Sequence, residues 1–212
     1  MISKACPKHL LSYRLAKNPL TEVPTRTLFQ VKTTLTYLDL SATDLVELEN
    51  HSFHGLYGLR ILILNDLPRL REIQAMAFDS LAELDTLEIQ HNPNLVYIDP
   101  FAFYDNLHAS KPNHVQRAFL TANALGFLSP SLLHWDEMEI IDLSGNPWNC
   151  DCNLKWILEV RHELRNLEET KCFTPPALTN TSFSDMTLSD MECEGEALFN
   201  AYEISLHFLA FQ

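Results

Sequence analysis

Leucines in this chain recur at spacings that mix three and two, and that mixture excludes most folds. Residues 35–48, LTYLDLSATDLVEL, place Leu35, Leu38, Leu40, Leu45 and Leu48 on the template LxxLxLxxNxL. The pattern returns 24 positions later at 59–73 with Leu59, Leu62, Leu64, Leu70 and Ile73, and 25 after that at 84–98 with Leu84, Leu87, Ile89, Leu95 and Ile98. A fourth copy at 115–128 follows a longer gap and carries Val115, Ala118, Leu120, Leu125 and Leu128. The last strand is expected in 138–146, and a weaker copy at 10–23 precedes the rest. An amphipathic helix does not keep such a pattern in register from copy to copy. A short strand with a returning segment fits each copy. One such unit cannot bury its own leucines, so the units must stack, strands side by side in a parallel sheet over a continuous apolar core.

Two markers accompany the leucines. Phe53, Phe78 and Phe103 recur in the back half of the clear units. An asparagine fills the turn after the strand at Asn18, Asn92, Asn123 and Asn146, where its amide can both donate to and accept from backbone groups. Thr43 and Leu67 stand there in the other two copies, so less regular turns are expected in those repeats.

A stack of this kind ends in an open apolar face that needs a cover. The segment after Pro147, with Trp148 at the junction, is the candidate. Asp151 or Asn153 caps an expected helix through LKWILEVRHEL, which sets Leu154, Ile157, Leu158 and Leu164 at helical spacing. Four cysteines, Cys150, Cys152, Cys172 and Cys193, lie in this region with the spacing C-x-C-x19-C-x20-C. Zinc sites of four cysteines usually show CxxC pairs, which are missing here. A reactive thiol needs a basic neighbourhood, and Asp151, Asp190, Glu192 and Glu194 supply the opposite. Disulfides are the reading that remains, in one of three pairings, and they imply an oxidising compartment.

These features together resemble the extracellular leucine-rich repeat proteins with a carboxy-terminal cysteine cap. The likeness covers residues 10–147 for the repeats and NPWNCDC onward for the cap. It implies an α/β fold: a leucine-rich repeat solenoid with a curved parallel β-sheet on its concave face and a disulfide-stapled helical cap. It further implies the pairs Cys150–Cys172 and Cys152–Cys193. The expected organisation is a degenerate first repeat with the remnant of an N-terminal cap in 1–34, repeats in 35–147, the cysteine-rich cap in 148–194 and a tail in 195–212. Cys6 is the leftover cysteine, expected to be the remnant of an upstream cap. LEIQHNPNLVYIDPFAF and LVELENHSFHGL also resemble repeats of glycoprotein-hormone receptor ectodomains, although those receptors follow their repeats with a different cysteine-rich hinge. That narrower likeness implies, as an alternative, a hormone-binding ectodomain fragment of a glycoprotein-hormone or relaxin-type seven-helix receptor.

The functional reading is a non-catalytic extracellular module that binds a protein or peptide on its concave face. Strand residues between the leucines point outward there: Tyr37, Asp39, Arg60, Ile63, Asp85, Glu88, Arg117 and Phe119 are the candidate contacts, flanked by Asn65, Gln90, Thr121, Glu139 and Asp142. A formal net charge of −13 argues against nucleic acid or an anionic membrane surface as partner. Five scattered glycines make no phosphate-binding loop. No Ser/His/Asp set, paired carboxylates or metal-ligand spacing is evident, so no enzyme, cofactor or metal is expected. The segment 108–114, HASKPNH, breaks the period as a protruding loop, and His91, His108 and His114 are expected at the surface. Sequons at Asn50 and Asn180 fall outside the expected strands, as glycosylation requires. Pro7, Lys8 and His9 interrupt the first apolar run, and residues 197–212 are too short to span a bilayer. Signal and anchor segments are therefore expected outside this chain, which reads as a fragment of a cell-surface or secreted protein, with membrane contact only through those segments.

Overall fold

The computed structural model describes residues 11–104, 114–191 and 193. Cys6, His108, most of the 108–114 segment and the 195–212 tail lie outside the described residues.

Each LxxLxL segment forms one short strand. In chain order these are Leu11–Arg14, Leu35–Asp39, Ile61–Ile63, Thr86–Glu88, Arg117–Phe119 and Ile140–Asp142, and all pair in parallel with their sequence neighbours. The template leucines turn inward, and Leu35, Leu38, Leu40, Leu62 and Leu64 are completely buried. The return of each repeat adds a second, three-stranded parallel sheet of Glu47–Leu48, Glu72–Ile73 and Tyr97–Ile98. Its inward residues Leu48 and Ile73 close the core from behind. The phenylalanine marker stacks as the repeats do: ring centroids are 5.8 Å apart between Phe53 and Phe78 and 4.7 Å between Phe78 and Phe103.

The turns after the strands correct one sequence expectation. All six copies have the same turn, whether or not asparagine is present. Lys17, Ala42, Asp66, His91, Ala122 and Gly145, each one residue before the asparagine place, all have left-handed backbone with φ between 53° and 72°. The first five donate their N–H to the next repeat, at Ser41, Asn65, Gln90, Thr121 and Ser144. Backbone hydrogen bonding to the neighbour thus holds the conformation where Thr43 and Leu67 replace asparagine. Gly145 is the one position of the six where the left-handed region carries little cost.

What asparagine adds is a side-chain ladder. Asn146 accepts from Asn123 N–H and donates to the Leu120 carbonyl at 2.6 Å; Asn123 accepts from Asn92 N–H and donates to Ile89 at 2.8 Å. Asn92 accepts from Leu67 N–H at 2.7 Å and donates to Leu64 at 3.0 Å. The ladder stops at Leu67, which has no amide to pass it on. Thr43 instead donates to its own repeat at Leu40, and among the described residues the amide of the exposed Asn18 donates to Leu15 and Ala16 of its own repeat.

The cap is less helical than its pattern suggests. Asp151 accepts from Asn153 N–H and caps a 3-10 turn at Cys152–Leu154, but the α-helix that follows is only Trp156–Glu159. Leu164, expected on the same helical face, lies instead in a strand, Leu164–Arg165, that pairs with Ile141 and Asp142. The cap therefore contributes an edge strand to the main sheet, which has seven strands among the described residues. Leu164 shares helical spacing with Ile157 by coincidence, because any core-facing residue of the edge strand must be apolar too. Trp148 is fully buried at the junction, its indole N–H bonded to Leu143. Disulfides join Cys150 to Cys172 and Cys152 to Cys193. Closing a loop of the first one's length contributes roughly 3 kcal/mol.

Candidate functional site

The outward face of the main sheet is built by period-two alternation: inward leucines fix the register, and the residues between them must face away. Two columns result. One runs Ser12, Tyr37, Ile61, Thr86, Arg117, Ile140, and the other Arg14, Asp39, Ile63, Glu88, Phe119, Asp142, Arg165. Tyr37, Asp39, Ile63, Glu88, Arg117 and Phe119 stand in these columns, half-buried, as expected from their spacing. Arg60 and Asp85 do not. Each precedes its strand by one residue, so that Ile61 pairs with Tyr37 and Thr86 follows Ile61 in the column. Ile61 and Ile140 were missed because β-branched residues beside leucines read as core. Only pairing register separates the two roles.

Most polar groups on the face are already engaged with one another. Arg117 pairs with Asp85, donates to Thr86 Oγ1 at 3.1 Å and lies 3.7 Å from Glu139. Asn65 Nδ2 donates to Glu88 at 3.0 Å, Gln90 Nε2 reaches the same oxygen at 3.3 Å, and Thr121 donates to Gln90. The Arg117 ion pairs are more than a third open to solvent, where such pairs contribute little to stability. Asp39 accepts from Ser41 N–H, and the Arg14 guanidinium sits 5.7 Å from the Tyr37 ring centroid. Asp142 is buried, bonded to Ser144 and to Asn166 of the cap, and so serves the sheet edge rather than an outside partner. The result is a linked polar lattice with Tyr37, Ile61, Ile63, Phe119 and Ile140 as its apolar elements.

On the opposite side, Tyr97 faces Glu72 across the three-stranded sheet and points toward Asp99 Oδ2 at 3.4 Å. Partial burial, then the negative charge and hydrogen bond of Asp99, then Glu72, push its hydroxyl up to about 12. The raised value means that the folded state favours the neutral phenol. The linked stability is therefore fully present below the ordinary phenol value near 10 and is lost as pH rises toward 12. An ultraviolet titration should show one phenolate forming only near pH 12, and Tyr97→Phe should remove that step alone.

Asn50 lies exposed in the turn after the strand Glu47–Leu48, and Asn180 is exposed with φ 64°. His91 is exposed, 3.9 Å from Asp66. Among the described residues no helix is long and apolar enough to cross a membrane.

Parallel strands one per repeat, a turn of constant geometry and an internal asparagine ladder define a solenoid of the leucine-rich repeat class. Residues 33–93 match the family model described as leucine rich repeat. The chain thus carries leucine-rich repeats, and a disulfide-bonded cysteine cap closes the last of them. Over 133 residues it is 27% identical to leucine-rich repeat and fibronectin type-III domain-containing protein 4 of Rattus norvegicus, and equally to that of Mus musculus. Those matches take in 59% of this chain and 19% of each relative, so they span about a fifth of the relatives' length. Among solved structures, human trophoblast glycoprotein (Wnt-activated inhibitory factor 1) aligns over 88% of this chain and 95% of its own, with 18% identity and a TM-score of 0.42.

Proposed function

We propose that the chain is a non-catalytic, extracellular protein-binding module whose partner, a protein or peptide, docks on the outward face of the main sheet. The carrying observation is the pre-organised lattice there: Arg117 held between Asp85 and Glu139, Glu88 held by Asn65 and Gln90, with apolar Tyr37, Ile63 and Phe119 among them. Side chains already fixed lose little entropy on binding, which is where such faces gain affinity. Half-buried aromatic and arginine residues are the usual anchors. The stapled cap supports an oxidising, extracellular setting, and the exposed sequons at Asn50 and Asn180 are then glycan positions. The relatives' shared repeat architecture supports the same reading, and fold alone does not name the partner.

The test is a screen of the full chain against an array of displayed extracellular proteins, repeated with Phe119→Arg and Ile63→Arg. Binding to a partner should fall at least tenfold in both variants and persist in Arg69→Glu, which alters an exposed residue of the turn between the two sheets. Partners that bind both face variants as tightly as the parent chain would place the interface elsewhere.

A further inference from the structure

Behind the sheet, the second and third repeats meet at a cluster that the outward face does not use. Asp79 is almost wholly buried, its side chain 5% exposed, and two imidazoles cover it: His51 Nδ1 lies 2.9 Å and His54 Nδ1 2.6 Å from the same oxygen, Oδ2. The rings themselves reach solvent, at 53% and 44% exposure, and stand edge to face with centroids 5.4 Å apart. Ser80 Oγ lies 3.2 Å from His54 Nδ1. The second carboxylate oxygen, Asp79 Oδ1, is buried with no hydrogen-bond partner among the described residues.

Repeat turns place these groups side by side. His51 and Ser80 both have left-handed backbone, at φ 63° and 66°, which histidine tolerates better than most residues and serine does not favour. His51 N–H is bonded to the Met76 carbonyl, which also receives Asp79 N–H, so one carbonyl ties both halves of the cluster. Both conformations belong to the repeat turn, since Met76 and Gly55 stand at the equivalent positions with φ 56° and 82°. A buried carboxylate that leaves one oxygen unsatisfied carries a desolvation cost, and a cation is among the ordinary ways to relieve it.

We propose that His51, His54 and Asp79 form a binding site for a divalent transition-metal ion of the Zn²⁺ type. One donor atom from each residue lies within 4.8 Å of the others, and two imidazole nitrogens with one carboxylate oxygen is a donor set that suits zinc. The exposed rings supply the adjustment: each neutral imidazole carries its proton on Nε2 and offers the Nδ1 lone pair to the ion, any proton displaced passing to solvent, and the nitrogens take the spacing of roughly 3.3 Å from the carboxylate oxygen that tetrahedral bonds about 2 Å long require. Three protein ligands leave one position for water. Ligands from two successive repeats make the ion a clip across the inter-repeat joint. Sequence alone conceals the site, because His54 and Asp79 are a full repeat apart and meet only when the repeats stack.

The test uses the oxidised full chain without an affinity tag, with any free thiol alkylated so that Cys6 is silent. Titrating ZnCl2 by calorimetry should show one saturable equivalent, and Co²⁺ should give the visible absorption band of a tetrahedral nitrogen and oxygen site. The double variant His51→Gln/His54→Gln changes only exposed rings, so its fold should survive. It should lose the band and weaken Zn²⁺ binding at least a hundredfold, whereas His91→Gln should change neither. No saturable binding by the parent chain, or binding untouched by the double variant, overturns the proposal.

Discussion

Phe78→Ala should lower the unfolding free energy by about 3–5 kcal/mol, measured by urea denaturation with the disulfides intact. Phe78 is buried between two other rings, at 5.8 Å from Phe53 and 4.7 Å from Phe103. Truncation removes one large side chain from the core and breaks two ring contacts at once, each worth about 0.5–1.5 kcal/mol beyond burial. The cavity sits at the joint of three repeats, where collapse of one unit is opposed by the hydrogen-bonded sheets on either side. Phe78→Leu retains most of the volume and should cost less than half as much. A loss below about 1 kcal/mol for the alanine variant would show that the repeats close around the gap and that the phenylalanine stack is not what joins them.

Asn92→Ala should cost about 4 kcal/mol by the same measurement, although it removes no apolar area. Asn92 is completely buried; its oxygen receives Leu67 N–H and its nitrogen feeds the Leu64 carbonyl. Alanine strands both backbone groups in the core, and each buried orphan costs about 1–3 kcal/mol. Asn18→Ala is the control, because that residue is exposed and its amide donates within its own repeat. Its cost should stay below about 1 kcal/mol. Equal losses at the two positions would mean that asparagine acts through local turn propensity rather than through the ladder between repeats.

The strands were legible because LxxLxL allows only one face to bury, and the stacking followed from the period. The turn expectation failed at Thr43 and Leu67 for a physical reason: left-handed backbone at Ala42 and Asp66 is enforced by hydrogen bonds to the next repeat, which no single repeat's sequence displays. The outward face was legible to within one residue, since Arg60 and Asp85 stand just ahead of Ile61 and Thr86 and only the pairing register tells them apart. The cap helix was overextended because Leu164 keeps helical spacing while serving an edge strand. The His51, His54 and Asp79 cluster was invisible for a different reason, namely that side chains a repeat apart in sequence become neighbours only through stacking.

The asparagine ladder also gives the molecule a direction. From Asn146 down to Asn92 every repeat holds the backbone of the one before it, and beyond Leu67 that grip ends. At the other extremity two disulfides clamp the chain. In a quasi-one-dimensional stack each repeat is held by its neighbours alone, so unequal joints give unequal local stability. In amide exchange the joint between the 35–48 and 59–73 repeats should therefore open more readily than the joints spanned by Asn92, Asn123 and Asn146.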